Sequence, residues 1–93
     1  MAIRSFRCVD TQAIYEGNSP RRFRNIANVA QRKLQILDAA VELRDLLAPP
    51  GNRLEALTRG RVGQHSIRIN DQWRLCFVWT ATGPENVEIV DYH

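Results

Sequence analysis

Four residues, Pro49-Pro50-Gly51-Asn52, divide this chain into two stretches with different periodicities. Neither proline can donate a backbone hydrogen bond, and glycine and asparagine favour turns, so no helix runs through this point. Before it, Ile26, Ala30, Leu34, Leu37 and Val41 recur at steps of three and four, and Val29, Ala40 and Leu43 widen the same apolar stripe. The spacing predicts an amphipathic helix over residues 25–40, with Leu43, Leu46 and Leu47 extending it or forming a short turn. After the break the period drops to two. Leu54 and Leu57 bracket a short strand. Residues 64–70 form a second, with His65, Ile67 and Ile69 on one face and Ser66 and Arg68 on the other. Trp73 to Thr80 is a third, apolar on both faces except at Arg74 and therefore central, and residues 86–92 are the last. Asn70-Asp71-Gln72 and Ala81-Thr82-Gly83-Pro84 are turns tight enough to make these strands an antiparallel meander.

Ahead of the long helix, Ile3 to Cys8 alternates apolar and polar residues and reads as an opening strand. Asp10 is a candidate N-cap for a short helix through Glu16, which Gly17 terminates. Ser19-Pro20 reads as a second cap with proline in the first turn. The expected order is β-α-α-β-β-β-β: an α+β fold with a small antiparallel sheet packed against two N-terminal helices, in a single domain spanning residues 1–93. The length suffices for one core, and a 44% hydrophobic, 25% charged composition is that of a folded chain. No apolar run approaches the roughly 20 residues of a membrane span, and residues 1–6 lack the apolar stretch of a signal peptide. Cys8 and Cys76 are not in CxxC spacing and read as reduced thiols. The expected location is the cytoplasm, with no membrane partner.

Thirteen basic against ten acidic residues give a net charge of +3, and Lys33 is the only lysine. Arginine carries a planar fork that grips phosphate and stacks on bases. Arg21, Arg22 and Arg24 crowd one segment; Arg53, Arg59, Arg61, Arg68 and Arg74 crowd another. Two such clusters in a basic chain point to nucleic acid, against the plainer alternative of solvated faces. Asp91-Tyr92-His93 follows the strand-like run Glu88-Ile89-Val90. If the strand holds them, an acid, a phenol and an imidazole gather at one spot, a set suited to acid–base chemistry; otherwise they are a polar tail without a role.

The segments Pro50-Gly51-Asn52-Arg53-Leu54-Glu55-Ala56-Leu57, Gly63-Gln64-His65-Ser66-Ile67-Arg68-Ile69-Asn70-Asp71-Gln72-Trp73-Arg74-Leu75-Cys76-Phe77 and Val87-Glu88-Ile89-Val90-Asp91-Tyr92-His93 closely resemble the HigB toxins. These are the host-inhibition, or plasmid maintenance killer, branch of the RelE/ParE toxin superfamily. The similarity runs end to end and includes Ile3-Arg4-Ser5-Phe6 and Asp10-Thr11. It implies the RelE/ParE-like fold and a toxin that cuts messenger RNA on the translating ribosome. It also implies a HigA-type antitoxin with a helix-turn-helix domain, through which operator DNA is contacted only indirectly. Because ParE relatives share the fold and poison DNA gyrase, a non-enzymatic inhibitor of the ribosome or of gyrase is the competing expectation.

Asp91, Tyr92 and His93 match the family's catalytic tail, and Arg74 matches a basic residue facing its site. Where some members carry a catalytic histidine this chain has Glu55, and where a lysine is expected it has Thr58, with Arg59 and Arg61 close by. RNA cleavage through the ribose 2′-hydroxyl needs a base, an acid for the leaving 5′-oxygen and positive charge on the phosphorane. His93 is the best acid or base, since only its unperturbed pKa lies near neutrality. Asp91 orients it, and strict alternation puts these two on one face and Tyr92 on the other. Arg61 and Arg74 are the candidate phosphate clamps, Glu55 a second base, and Arg59, Arg68, Arg21, Arg22 and Arg24 further RNA contacts. Arg74 has a structural alternative, pairing with Asp91 or Glu88. His65 reads as a packed, satisfied histidine, and Trp73 and Trp79 as core. No His/Cys/Asp cluster has ligand spacing, so no metal or other cofactor is expected.

Overall fold

In the computed structural model, which describes residues 2–91, the stretches on either side of the proline break form two layers. The helices α1 (Val9–Tyr15) and α2 (Ala27–Ala39) make the first. The strands β1 (Glu55–Ala56), β2 (His65–Arg68), β3 (Trp73–Thr80) and β4 (Gly83–Asp91) make the second, an antiparallel sheet in the order β1-β2-β3-β4. The architecture is α+β, as the periodicities require.

The expected opening strand is not formed. Phe6 makes a single parallel bridge to Val87, and the segment is tied to β4 by Arg4 N–H to Pro84 O (2.7 Å), Arg7 N–H to Val87 O (3.0 Å) and Val87 N–H to Ser5 O (3.1 Å). A ladder cannot extend because Asn86 takes a positive φ of 54° and turns its N–H to the Ser5 hydroxyl instead (2.8 Å). Helix α1 also starts earlier than expected. Cys8, in extended conformation, is its N-cap, and Asp10 lies inside the first turn, where a carboxylate complements the helix dipole. Gly17, at φ 95°, closes it.

The long helix, expected from residue 25, starts at Ala27; residues 21–26, after the Ser19-Pro20 cap, form a 3₁₀ turn with a kink at Phe23. A repeat near three residues puts Phe23 and Ile26 on the same side, and both are buried. Helix α2 then buries Ala30, Leu34 and Leu37, at i, i+4 and i+7. Ala40 is extended, and Leu43–Leu47 form a separate 3₁₀ turn. There the Asp45 carboxylate accepts from the backbone N–H groups of Val41 (3.0 Å) and Glu42 (2.9 Å), which hold its pKa below the usual carboxylate value. The proline break is fastened to the helical layer by Asn52. Its buried amide donates to Leu46 O (3.2 Å) and Ala48 O (3.1 Å) and accepts from Lys33 Nζ (2.6 Å).

The core lies between the layers. Ile67, Leu75, Phe77, Val87 and Ile89 project from the sheet toward Phe23, Leu34 and Leu37, and all are buried. Strand β4 begins three residues before its expected start because Gly83 and Pro84, read as turn, pair with Thr80 and Trp79. Only glycine fits at position 83: φ is 133°, and a Cβ there would sit 2.4 Å from Ala2 O.

Candidate functional site

Strand register assigns the site's residues to the sheet face opposite the helices. Glu55 stands opposite Ser66, Ser66 opposite Cys76, and Cys76 opposite Glu88, so one cross-strand row reads Glu55-Ser66-Cys76-Glu88. Arg74, two residues from Cys76 and opposite Val90, lies beside that row.

Arg74 is 8% exposed, and its guanidinium is deeply engaged. Nε donates to Ser66 Oγ (2.7 Å) and Nη2 to Arg53 O (2.6 Å), and Nη2 lies 3.7 Å from Glu55 Oε1. Arg53 holds a left-handed conformation, φ 46° and ψ 58°, and its carbonyl thereby meets Arg74 at the entry to β1. A buried cation thus fixes the strand that carries Glu55, whose own side chain is half exposed to solvent. The sequence gives Arg74 a clamp role or a bridge to Asp91 or Glu88; these contacts add anchoring of Glu55 and β1, a function its residue type did not disclose.

Glu88 is claimed by two other arginines. Arg61 Nη1 lies 3.0 Å from its Oε1 and Arg7 Nε 3.5 Å from its Oε2, and Arg61 also donates to Gln64 Oε1 (3.1 Å). Arg61 keeps a third of its side-chain surface exposed, so one edge of the fork faces out while the other is held. A cleft of about 370 Å³ opens here, lined by Cys8, Arg22, Arg61, Glu88, Val90 and Asp91. Asp91 stands opposite Trp73 and accepts from Gln72 Nε2 (3.1 Å). Arg22 packs its guanidinium over Phe23 (4.7 Å to the centroid), with Trp73 at 6.0 Å, and Phe23 and Trp73 meet edge to face. Tyr92 and His93 lie outside the described residues.

The remaining candidates are dispersed. Arg21, Arg24 and Arg59 are exposed, and Arg59 adopts φ 57°. Arg68 is ion-paired to Asp71 and lines a separate groove beside α2. His65 falls on the helix-facing side, away from the Glu55 row, and its ring stacks on Phe77 with centroids 6.4 Å apart. It is packed as expected but not satisfied: buried Nδ1 makes no hydrogen bond among the described residues. Ser66, Glu88 and Cys8 were not foreseen at the site. Alternation puts Ser66 on the Arg68 side, but only cross-strand register shows that Arg74 needs it. Buried Cys76 has its thiol pushed up to about 11, chiefly by desolvation, and is unsuited to act as a thiolate. Among the described residues no group of three or more His, Cys, Asp or Glu could hold a metal ion, and no helix is long and apolar enough to cross a membrane.

Comparison with known proteins adds a family. Residues 5–93 match a model of HigB-like toxins, described as the RelE-like toxin of type II toxin–antitoxin system HigB. Toxin HigB-1 of Vibrio cholerae serotype O1 is 46% identical over 70 residues, covering 73% of this chain and 74% of the relative. An uncharacterized protein of Haemophilus influenzae is 40% identical over 63 residues, covering 68% of this chain and 62% of its own length.

Proposed function

The chain belongs to the HigB-like family of RelE-like type II toxins, and from that premise we propose that it is an endoribonuclease that cuts messenger RNA on the translating ribosome without a metal ion. A type II toxin has an antitoxin partner; here we assign a HigA-type, helix-turn-helix protein. The observation that carries the catalytic reading is the anchored pair on the polar face: a half-exposed Glu55 fixed by buried Arg74, across the sheet from a cleft with Arg22, Arg61 and Asp91 on its walls.

In this mechanism a base removes the proton of the ribose 2′-hydroxyl, and the 2′-oxygen attacks the adjacent phosphorus. The arginines stabilise the charge on the phosphorane, and an acid protonates the departing 5′-oxygen. The products are a 2′,3′-cyclic phosphate and a 5′-hydroxyl. The 2′-hydroxyl is an internal nucleophile, so the step needs no metal-bound water. His93 supplies one proton-transfer role, and Glu55 is the second base. Asp91 orients His93, and Tyr92 stacks on a base or hydrogen-bonds. Arg61 faces the phosphate, buried Arg74 holds Glu55 in place behind it, and Arg59, Arg21, Arg22 and Arg24 extend the contact with RNA. With a carboxylate where some relatives have histidine, the acid–base pair depends on a substrate bent and aligned by the decoding site, which makes cutting ribosome-dependent.

Primer extension on messages from induced cells tests the reading. Wild type should give discrete ends within translated codons. His93→Ala, shown to be folded by its unfolding midpoint, should give none and should leave growth unimpaired. Purified protein with EDTA should leave naked RNA almost intact; comparable cutting of free and translated RNA would overturn the ribosome requirement. Growth arrest by folded His93→Ala without any cleaved ends would establish the non-enzymatic inhibitor instead.

A further inference from the structure

A second groove, of about 320 Å³, runs along the outer side of α2 and shares no lining residue with the cleft at β4. One wall is a helical stripe, Val29, Arg32, Lys33 and Ile36, at i, i+3, i+4 and i+7. The other comes from the proline break and the end of β2, with Pro49, Arg68 and Ile69. Three cations and four apolar side chains therefore share the groove, and no carboxylate lines it. The cleft at β4 has the reverse balance, since Glu88 and Asp91 sit among its arginines.

The positive charge is largely uncompensated. Arg68 is paired with Asp71, but among the described residues neither Arg32 nor Lys33 has an ion-pair partner. Lys33 is held in place by Asn52 Oδ1 at 2.6 Å, and partial burial together with repulsion from Arg32 and Arg68 lowers its pKa. A negative group entering the groove relieves that repulsion. Val29 is 38% exposed and, with Ile36 and Pro49, gives the groove a contiguous apolar wall beside its cations.

We propose that this groove is a docking site for an acidic, amphipathic segment of the antitoxin. A carboxylate of that segment lies between Arg32 and Lys33, and a neighbouring apolar side chain packs on Val29, Ile36 and Pro49. The apolar half of the lining decides for a peptide over RNA: a phosphate backbone satisfies the cations but leaves those walls in water, whereas one face of an amphipathic peptide meets both. The proposal rests on membership in a type II family, whose toxins work with an antitoxin.

Calorimetric titration of the purified chain with its purified cognate antitoxin tests the site. Arg32→Glu should weaken binding at least about tenfold and flatten its salt dependence, and Val29→Asp should weaken it comparably. Arg44→Glu, on an exposed arginine paired with Glu42 outside the groove, controls for net charge and should bind as wild type does. Arg32 and Val29 are surface positions, and the unfolding midpoint of each variant confirms that it is folded. Antitoxin affinity equal to wild type in folded Arg32→Glu would overturn the proposal. So would undiminished antitoxin binding alongside weakened binding of a labelled RNA, which would make the groove an RNA contact. Wild-type protein that fails to bind the antitoxin at all would overturn the pairing itself, a different failure from an unaltered variant.

Discussion

The two faces of one sheet are held by opposite means. Toward the helices, β2, β3 and β4 present Ile67, Leu75, Phe77, Val87 and Ile89, which pack against α2 without directional bonds. On the other side the same strands present Ser66, Arg74 and Glu88, and each is fixed by hydrogen bonds or ion pairs with named partners. Apolar contacts are many and individually weak, so that face tolerates adjustment but loses much when volume is lost. The polar face has few contacts, each geometrically exacting. Removing one changes where a side chain points more than whether the chain folds.

The largest test of this contrast is on the apolar face. Phe77→Ala removes a completely buried ring and should cost about 3–5 kcal/mol, a large part of the roughly 5–15 kcal/mol that holds a domain together. Urea unfolding measures it, and a loss below about 1 kcal/mol would break the comparison. Next comes Glu55→Gln, nearly isosteric on a half-exposed side chain. Cleavage on ribosomes should fall about 100-fold, as for a lost general base, with an unchanged unfolding midpoint. Full cleavage by this variant would remove Glu55 from the chemistry.

Arg74→Met tests the link between the faces. It keeps buried volume but deprives Ser66 Oγ and Arg53 O of their donor, and a buried unpaired polar group costs about 1–3 kcal/mol. Cleavage should fall with the loss of its anchor on Glu55. A variant with wild-type stability and wild-type cleavage would show that the anchor holds nothing.

The smallest effect is at Cys76. Its thiol is pushed from 9.0 up to about 11 in the fold, so above pH 9 the unfolded chain ionises first. The stabilisation is complete below pH 9 and is lost as pH rises toward 11. Unfolding midpoints at pH 8 and 10.5 should converge less in wild type than in Cys76→Ala, the variant lacking this alkaline loss. Identical pH dependence in the two proteins would place the thiol in a wetter setting than the sheet provides.

Periodicity made much of the scaffold legible. Residues 73–80 alternate so little that a central strand was the only reading, and β3 occupies those residues; the apolar stripe of α2 was equally plain. The misreadings share a cause. Ile3–Cys8 alternates like a strand, but its pairing depends on Asn86, 81 residues from Ser5 in the chain. Residues 25–26 read as the start of the long helix, whereas Phe23 and Ile26, by burying themselves, hold residues 21–26 in a 3₁₀ turn. At the site, residue type pointed to Arg74, Arg61 and Asp91 but was silent on their partners. Arg74's dependence on Ser66 and on the Arg53 carbonyl arises from register and from one left-handed residue, neither of which leaves a pattern in sequence.

The segment over residues 2–7 has a consequence for how the protein behaves in a crowded solution. An uncovered outer strand offers its backbone to any passing chain and invites stacking into aggregates. Strand β4 is the long outer strand here, and Arg4, Ser5 and Arg7 occupy backbone groups of Pro84 and Val87 along it. The opposite margin, β1, is only two residues long. Both margins are thereby poor templates for further strands. Removing residues 2–7 also strips Ile3 and Phe6 from the rim of the core, and it should convert a dispersed protein into one that self-associates as its concentration rises, detectable by light scattering.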